Sequence, residues 1–403
     1  MILRLLLDIG LFGLLTSSIS AILAVIGLVH FRRDRQLQGA EGAVAWTAGP
    51  VSLLKPLDGD EPNLESHLES FFNQDYPRFE VLFCARSAAD PGLATARRVA
   101  ARYPHIPARF LSTGDETYIN AKVSSLELMH AAAQNDLFII SDSDVRVARN
   151  YIREVAAPFA DKNVGAVTCL YRGSADRGLW AKLEAAGMSV EMTTGVLTAN
   201  LLEGMKFALG PTMAVRRSSV EAMGGFGVLG PYCSDDFLLG EKVSAQGSTV
   251  VLSHHVIDHI ILNLSFAASL AHQTRWMKST RFSRPLGHLG TALTFSLPFG
   301  ILAALAAFAL HRPVLALSLL AYSILNRMVL AALMGSLAVQ ERHLVRTIVL
   351  YPLRDLLGFF CWAASYAGST ILWRGRRYRL TRGGLMHPVD AANAEDHEHA
   401  LST

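Results

Sequence analysis

Two aspartates end an apolar run. Leu137-Phe138-Ile139-Ile140-Ser141 reads as a buried strand that stops at Asp142-Ser143-Asp144. Carboxylates spaced i, i+2 at a strand end suit a hard divalent cation, Mg2+ or Mn2+, which is commonly held by one or two carboxylates together with substrate phosphates. Such a cation neutralises charge on a departing diphosphate. A solvated turn or a helix cap also fits the pair, and its place after an apolar strand favours the metal reading. A second pair, Asp235-Asp236, sits in Pro231-Tyr232-Cys233-Ser234-Asp235-Asp236-Phe237 before a helical pattern that runs to 245. A hydroxyl acceptor needs a base, and a positioned carboxylate typically contributes about 10²–10⁴-fold. Helix capping accounts for only one of the two acids. Asp90, before Pro91, fits an N-cap with proline in the first turn better than it fits a nucleotide ligand on local grounds.

A third group is His272-Gln273-Thr274-Arg275-Trp276, followed by Lys278, Arg281 and Arg284. Guanidinium groups pair with diphosphates, and Trp276 can pack on a nucleotide or an acceptor. The same helix, placed beside a membrane, would grip anionic head groups. We expect Arg275 and Trp276 to face the site and Lys278, Arg281 and Arg284 to face lipid.

The elements that must position these groups follow from periodicity. Strand-like runs at 51–55, 79–84, 108–111, 137–141 and 164–170 alternate with helical patterns at 62–73, 90–102 and 120–134. Alternation of this kind predicts an α/β domain with a mostly parallel sheet and helices on both faces. Ligands then collect at the carboxyl ends of the strands, where Asp142 and Asp144 fall. Residues 176–203 fit either a core helix or a helix lying at the membrane.

The chain has 403 residues, 51% hydrophobic and 18% charged, and a net charge of +3. That charge is too small to imply a nucleic-acid partner. Cys84, Cys169, Cys233 and Cys361 form no CxxC pair, which suits a reduced, cytosol-facing domain. Residues 9–30 are long and apolar enough to cross a bilayer, and Arg32, Arg33 and Arg35 follow. The positive-inside rule places what comes next in the cytosol. Three more apolar segments follow at 289–310, 314–339 and 356–373, then a basic stretch of Arg374, Arg376, Arg377, Arg379 and Arg382. Three crossings would put that stretch outside, against the rule. The 314–339 segment, interrupted by Asn326-Arg327, is therefore expected to be re-entrant or interfacial. The expected organisation is an anchor at 1–31, a catalytic domain at 48–262, and an amphipathic juxtamembrane segment at 263–288. A membrane region at 289–373 and a basic, then disordered, tail at 374–403 follow.

The order Asp90, Asp142-Ser143-Asp144, Asp236 and Arg275-Trp276 resembles the D, D, D, (Q/R)xxRW set of membrane-bound inverting glycosyltransferases of the GT-A fold, which include cellulose and hyaluronan synthases. It is most similar to the ceramide glucosyltransferase family and its bacterial relatives that glycosylate hopanoids. The segments 51–57, 71–77, Asp90-Pro91, 119–122 and 373–380 carry the likeness. The resemblance implies that Asp90 and Asp142 help bind the nucleotide, Asp144 meets the metal, and Asp236 is the general base. Arg275 and Trp276 would complete the donor site, with Lys55 and Lys122 as further donor contacts and Asp235 beside the base. His272 stands where the family has Gln or Arg, which is a departure. The implied reaction moves glucose or N-acetylglucosamine from a UDP-sugar to the hydroxyl of a membrane lipid, giving a β-glycolipid. Alternatives are a bacteriohopanetetrol acceptor, a polyprenyl-phosphate acceptor, a processive polysaccharide synthase, and a non-catalytic membrane protein.

Overall fold

A computed structural model describes residues 1–41, 49–115, 117–263 and 265–389. Eight strands form one mixed, mostly parallel sheet. They are β1 (Val51–Pro56), β2 (Phe79–Ala85), β3 (Ala108–Ser112), β4 (Leu137–Ile140), β5 (Val145–Arg146), β6 (Val164–Ser174), β7 (Met213–Arg216) and β8 (Thr249–Ile260). Their order is β3-β2-β1-β4-β7-β6-β8-β5. β1 to β4 run parallel, and β7 is antiparallel to both β4 and β6. This is the α/β architecture expected of a GT-A domain.

Near-continuous apolar strands work here because both faces are covered. Leu53, Phe83 and Ile139 point into one layer with Leu68 and Phe71 of the Leu64–Phe72 helix. Leu54, Leu82, Phe138 and Ile140 point into the other with Val123, Leu126 and Met129 of the Ala121–Ala132 helix. β7 and β8 went unpredicted. β7 has only four residues, and β8 carries His254, His255, Asp258 and His259 among its apolar positions.

Helices cover one side of this domain. The first runs Ile2–Glu41, and its apolar part, Ile2–Asp34, is long enough to cross a membrane. So is Pro313–Ala338, which contains Pro313–Leu333 and a π turn. Residue 327 therefore does not break the second segment as expected. Arg327 lies 3.4 Å from Asp355 and donates to the Thr294 carbonyl at 3.0 Å, so its charge is met inside the bundle. The segment expected as one good span, 289–310, is instead a pair, Pro285–Thr294 and Leu297–Ala309, bent by 48°. Ser296 at the break contributes one of two amides, with Leu297, that donate to Asp355 at 2.9 and 2.8 Å.

The third expected span, 356–373, is not one element. Its helix is Leu344–Ala364, with Arg354 and Asp355 buried. Beyond it lie β9 (Thr370–Trp373), β10 (Arg376–Thr381) and β11 (Leu385–Pro388), an antiparallel sheet. The basic stretch is thus folded. Ile371, Tyr378, Leu380 and Met386 pack inward against Ile119 and Cys233, while most of the arginines point out. The Cys233 amide donates to the Gly384 carbonyl, and the Met386 amide to the Pro231 carbonyl. A sheet bonded to 231–233 lies on the catalytic domain's side of any bilayer, so an even number of crossings separates Ser283 from Thr370. That removes the conflict over the basic residues. The disordered end expected after 389 lies outside the described residues.

Residues 179–203 are helical and pack within the molecule, as the core alternative expects. Leu179–Gly187, a π turn at Met188–Met192, and Thr193–Glu203 pack on the first helix and on the Leu344–Ala364 helix. Leu179 and Leu202 stay exposed. Glu191 on the π turn meets Arg354 at 2.8 Å.

Asp355 ties three bundle segments at one point. Removing it strands Arg327 and two buried amides, so Asp355→Ala should cost about 3–5 kcal/mol, read as a lower melting temperature in detergent. Replacing Arg327 and Asp355 together by leucine should recover much of that loss.

Candidate active site

The carboxyl ends of β1 and β4 meet the start of the Asp235–Ala245 helix at one cleft. Lys122 joins them. Its ammonium lies 2.7 Å from Asp142 Oδ1 and 3.7 Å from Asp235 Oδ2. Burial alone would lower Lys122, but Asp142 and Asp235 outweigh it and hold the group above the usual lysine range. Asn120 caps the helix that carries Lys122, accepting from the Lys122 amide at 3.1 Å. Its side-chain amide donates to the Tyr232 carbonyl at 3.0 Å and to Asp235 at 3.2 Å. Lys55, fully buried on β1, donates to the Asp142 carbonyl oxygen and lies 3.7 Å above the Phe71 ring. Burial pushes it down to about 7, against the pull of Asp142 and Asp144.

Asp144 pairs with His259 of β8 at 3.0 Å. Burial opposes the charge on both, yet their attraction wins. Asp144 therefore sits below the usual carboxylate range and His259 above the usual imidazole value. Asp144 Oδ1 and Glu61 Oε2 are buried without a hydrogen-bond partner among the described residues. Burial and the Asp144 charge raise the Glu61 carboxyl. Oxygens left in this state suit a hard cation. Among the described residues no cluster of three or more His, Cys, Asp or Glu groups has ligand spacing. Phosphate or water oxygens would have to complete the shell.

Asp236 differs from its neighbours. Gly210 and Phe237 amides each donate to it at 2.8 Å, and no cation pairs with it among the described residues. Burial, then the charge of Asp235, raises it to about 6. A Cβ on Gly210 would lie 3.1 Å from Asp236 Oδ2 and 3.7 Å from Asp142 Oδ2, so the backbone there passes close to both acids. The structure thus brings Asp142, Asp144, Asp235, Asp236, Lys55 and Lys122 together.

Arg275 and Trp276, on the Phe266–Ser283 helix, sit at the edge of this group. Arg275 lies 5.9 Å from the Trp373 ring of β9. Trp276 packs on His272 and His259, with ring centroids 4.5 and 6.3 Å away. His272 turns from the acids to Glu184, at 2.6 Å, where Asn263 and Ser269 also bind. Lys278, Arg281 and Arg284, expected to face lipid, have partners within the protein. They engage the Thr370 carbonyl, the Ser365 and Gly368 carbonyls, and Glu203. Backbone carbonyls at the end of the bundle need donors, and Lys278 and Arg281 supply them.

Asp90 caps the Pro91–Ala100 helix, accepting from Gly92 at 2.8 Å and from Leu93. Its second oxygen accepts from the Gly59 amide at 3.1 Å, fixing the loop after β1. Sequence reasoning missed Glu61, Gly210 and His259. His259 was legible only as one of three histidines in the β8 run.

Comparison with known proteins places the chain in a family. The model of Glycosyl transferase family 21 matches residues 14–386. Ceramide glucosyltransferase 1 of Caenorhabditis elegans is 24% identical over 348 residues, 83% of this chain and 72% of that protein. Ceramide glucosyltransferase of Komagataella phaffii is 39% identical over 101 residues, 24% of this chain and 20% of that protein. Among solved structures, the mannosyltransferase PcManGT from Pyrobaculum calidifontis, in complex with GDP-Man and Mn2+, is 18% identical. Its TM-score is 0.47, over 89% of this chain and 98% of that one.

The observed cap and the expected donor contact of Asp90 can be separated. Asp90→Ser retains a capping oxygen and should stay within about 0.5 kcal/mol of the parent, whereas Asp90→Ala should lose about 1 kcal/mol. Thermal melts check the pair. Weaker nucleotide binding by Asp90→Ser, with the melt unchanged, is the result expected of a donor contact.

Proposed function

The chain belongs to glycosyl transferase family 21 and is a hexosyltransferase, and on that premise we propose that it moves a sugar, glucose or N-acetylglucosamine, from a UDP-sugar to the primary hydroxyl of a ceramide-type membrane lipid. One observation carries the reading. Of the four clustered aspartates, Asp142 and Asp235 are tied to Lys122 and Asp144 to His259, while Asp236 is held by backbone amides and raised to about 6. A base is most effective with a pKa near the working pH. Asp236 takes the acceptor proton as that oxygen attacks the anomeric carbon, and the bond to UDP breaks on the opposite side. One displacement inverts an α-linked donor to a β-glycoside, so no second carboxylate is needed as nucleophile.

Asp144, with Asp142 or Glu61 beside it, would hold Mg2+ or Mn2+, which there would offset charge on the leaving diphosphate. Lys122 and Arg275 supply fixed positive charge around the same position, with Lys55 as a further donor contact. Asp90 and Trp276 border the donor site in this reading. His272 acts through Trp276, because Glu184 fixes its ring against the indole.

Several features support a lipid acceptor. The helix at 179–203 joins the catalytic sheet to apolar helices long enough to cross a bilayer. Leu202 on that helix, and Leu286 and Leu289 on the Pro285–Thr291 helix, are exposed. The family relatives are ceramide glucosyltransferases by name. Arg32, Arg33 and the basic β10 share the catalytic domain's side, which suits a cytosolic face.

Membranes holding the protein, incubated with labelled UDP-sugars, should yield a labelled lipid by mass spectrometry of the extract. Label found only in polymer, or in no lipid, would sink the reading. Asp236→Asn should keep UDP binding and lose about 10²–10⁴-fold in turnover. Asp236 works only when ionised, and its pKa lies above the usual range. The rate should therefore fall about tenfold per pH unit below about 6 in the parent. Asp235→Asn removes a neighbouring negative charge, so it should shift that limb to lower pH.

A further inference from the structure

A cavity of about 230 Å³ opens where the carboxyl ends of β1, β2 and β3 meet the sheet formed by β9 to β11. Leu57, Arg86 and Thr113 line it from the strand ends, and Ala121, next to Lys122, lines its inner wall. Trp373, Arg374, Arg376 and Tyr378 close the remaining side. Three guanidinium groups and two aromatic rings around one small space suit a planar base carrying a diphosphate, because arginine pairs with phosphate and rings stack on bases.

The turn that closes the cavity is unusual. Trp373 pairs with Arg376, so Arg374 and Gly375 form a two-residue hairpin loop, with φ of 49° and 75°. Such a loop favours Asn-Gly, and an arginine in its first position adopts a backbone conformation that Asn takes more readily. The side chain it projects reaches Asp58, just past β1, at 3.1 Å. Both partners are well exposed. An exposed ion pair of this kind is worth less than about fivefold in equilibrium. A charge-assisted hydrogen bond to a phosphate is worth on the order of tenfold or more. A diphosphate entering the cavity would therefore outcompete Asp58 for the guanidinium.

We propose that the hairpin at 373–376 is part of the donor site, and that Asp58 holds Arg374 as a latch which the nucleoside diphosphate releases. Trp373 couples this wall to the catalytic group, since it lines the cavity on one side and meets Arg275 on the other. The proposal rests on the nucleotide-sugar reading above, and adds a binding wall made by the last folded segment of the chain.

The test is UDP binding to the full-length protein in detergent, by calorimetry, for the parent, Arg374→Gln, Arg374→Lys and Asp58→Asn. Arg374→Gln should weaken UDP binding about tenfold. Arg374→Lys should fall between it and the parent. Asp58→Asn frees the guanidinium and should tighten binding two- to fivefold, an effect that a merely structural ion pair would not give. Melting curves for each variant confirm folding, and uridine, which lacks phosphate, should bind all four alike. UDP binding by the parent with no change in Arg374→Gln, or weaker binding in Asp58→Asn, overturns the latch and leaves the wider reading standing. Failure of the parent to bind UDP at all overturns both.

Discussion

Charge compensation within a confined cleft is the constraint on which this site depends. Four aspartates and Glu61 approach one another at the carboxyl edge of the sheet, where their repulsion would prevent assembly if each were left alone. Lys122 holds Asp142 and Asp235 together, and His259 holds Asp144. Lys55, drained of much of its basicity by burial, fixes the Asp142 backbone rather than a carboxylate. What is left over among the described residues is specific: one acid, Asp236, with amide partners only, and carboxylate oxygens on Asp144, Glu61 and Asp235 that accept no hydrogen bond. The arrangement sorts chemically similar side chains into different protonation behaviour by their neighbours alone.

The same principle operates where the helices meet the sheet. Asp258 of β8 is shared by Arg146, Arg172 and Arg342. Glu191 meets Arg354, and Asp355 meets Arg327. Arg342 and Arg354 reach back to Asp258 and Glu191 from much later in the chain, while Arg327 and Asp355 join neighbouring bundle helices. Apolar packing alone would allow helices to slide along one another. Buried polar contacts of defined geometry fix their register, and with it the position of Trp276 and Arg275 over the acids.

Much of the catalytic half was legible because its signals are local. β1, β2 and β4 are apolar runs ended by Pro56, Ala85 and Asp142, and Asn120 announces the helix that carries Lys122. The acids of the site lie at such ends. What escaped reading depends on distant partners. Arg327 looked incompatible with a spanning helix because its partner, Asp355, lies 28 residues on. Residues 370–373 were read as the end of an apolar span and 374–388 by charge as a tail, although Ile371, Tyr378 and Leu380 alternate with polar positions as strand residues do. Gly210 and His259 carry no motif, and their relevance appears only when β7 and β8 bring them to Asp236 and Asp144. The first position of the (Q/R)xxRW motif, His272, was noticed as a departure, and its partner Glu184 is a contact 88 residues away.

The π turn at Met188–Met192 has an effect on the neighbouring surfaces. An inserted residue rotates everything after it by roughly a quarter turn or more relative to a regular helix. The stripe of residues before the insertion, including Glu184, is aimed at His272, and the stripe after it, including Leu197, is aimed at Gly27 of the first helix. A single rod thereby serves two clients that a regular one could not face at once. Deleting one residue from that turn would realign the rod and break one of these two contacts.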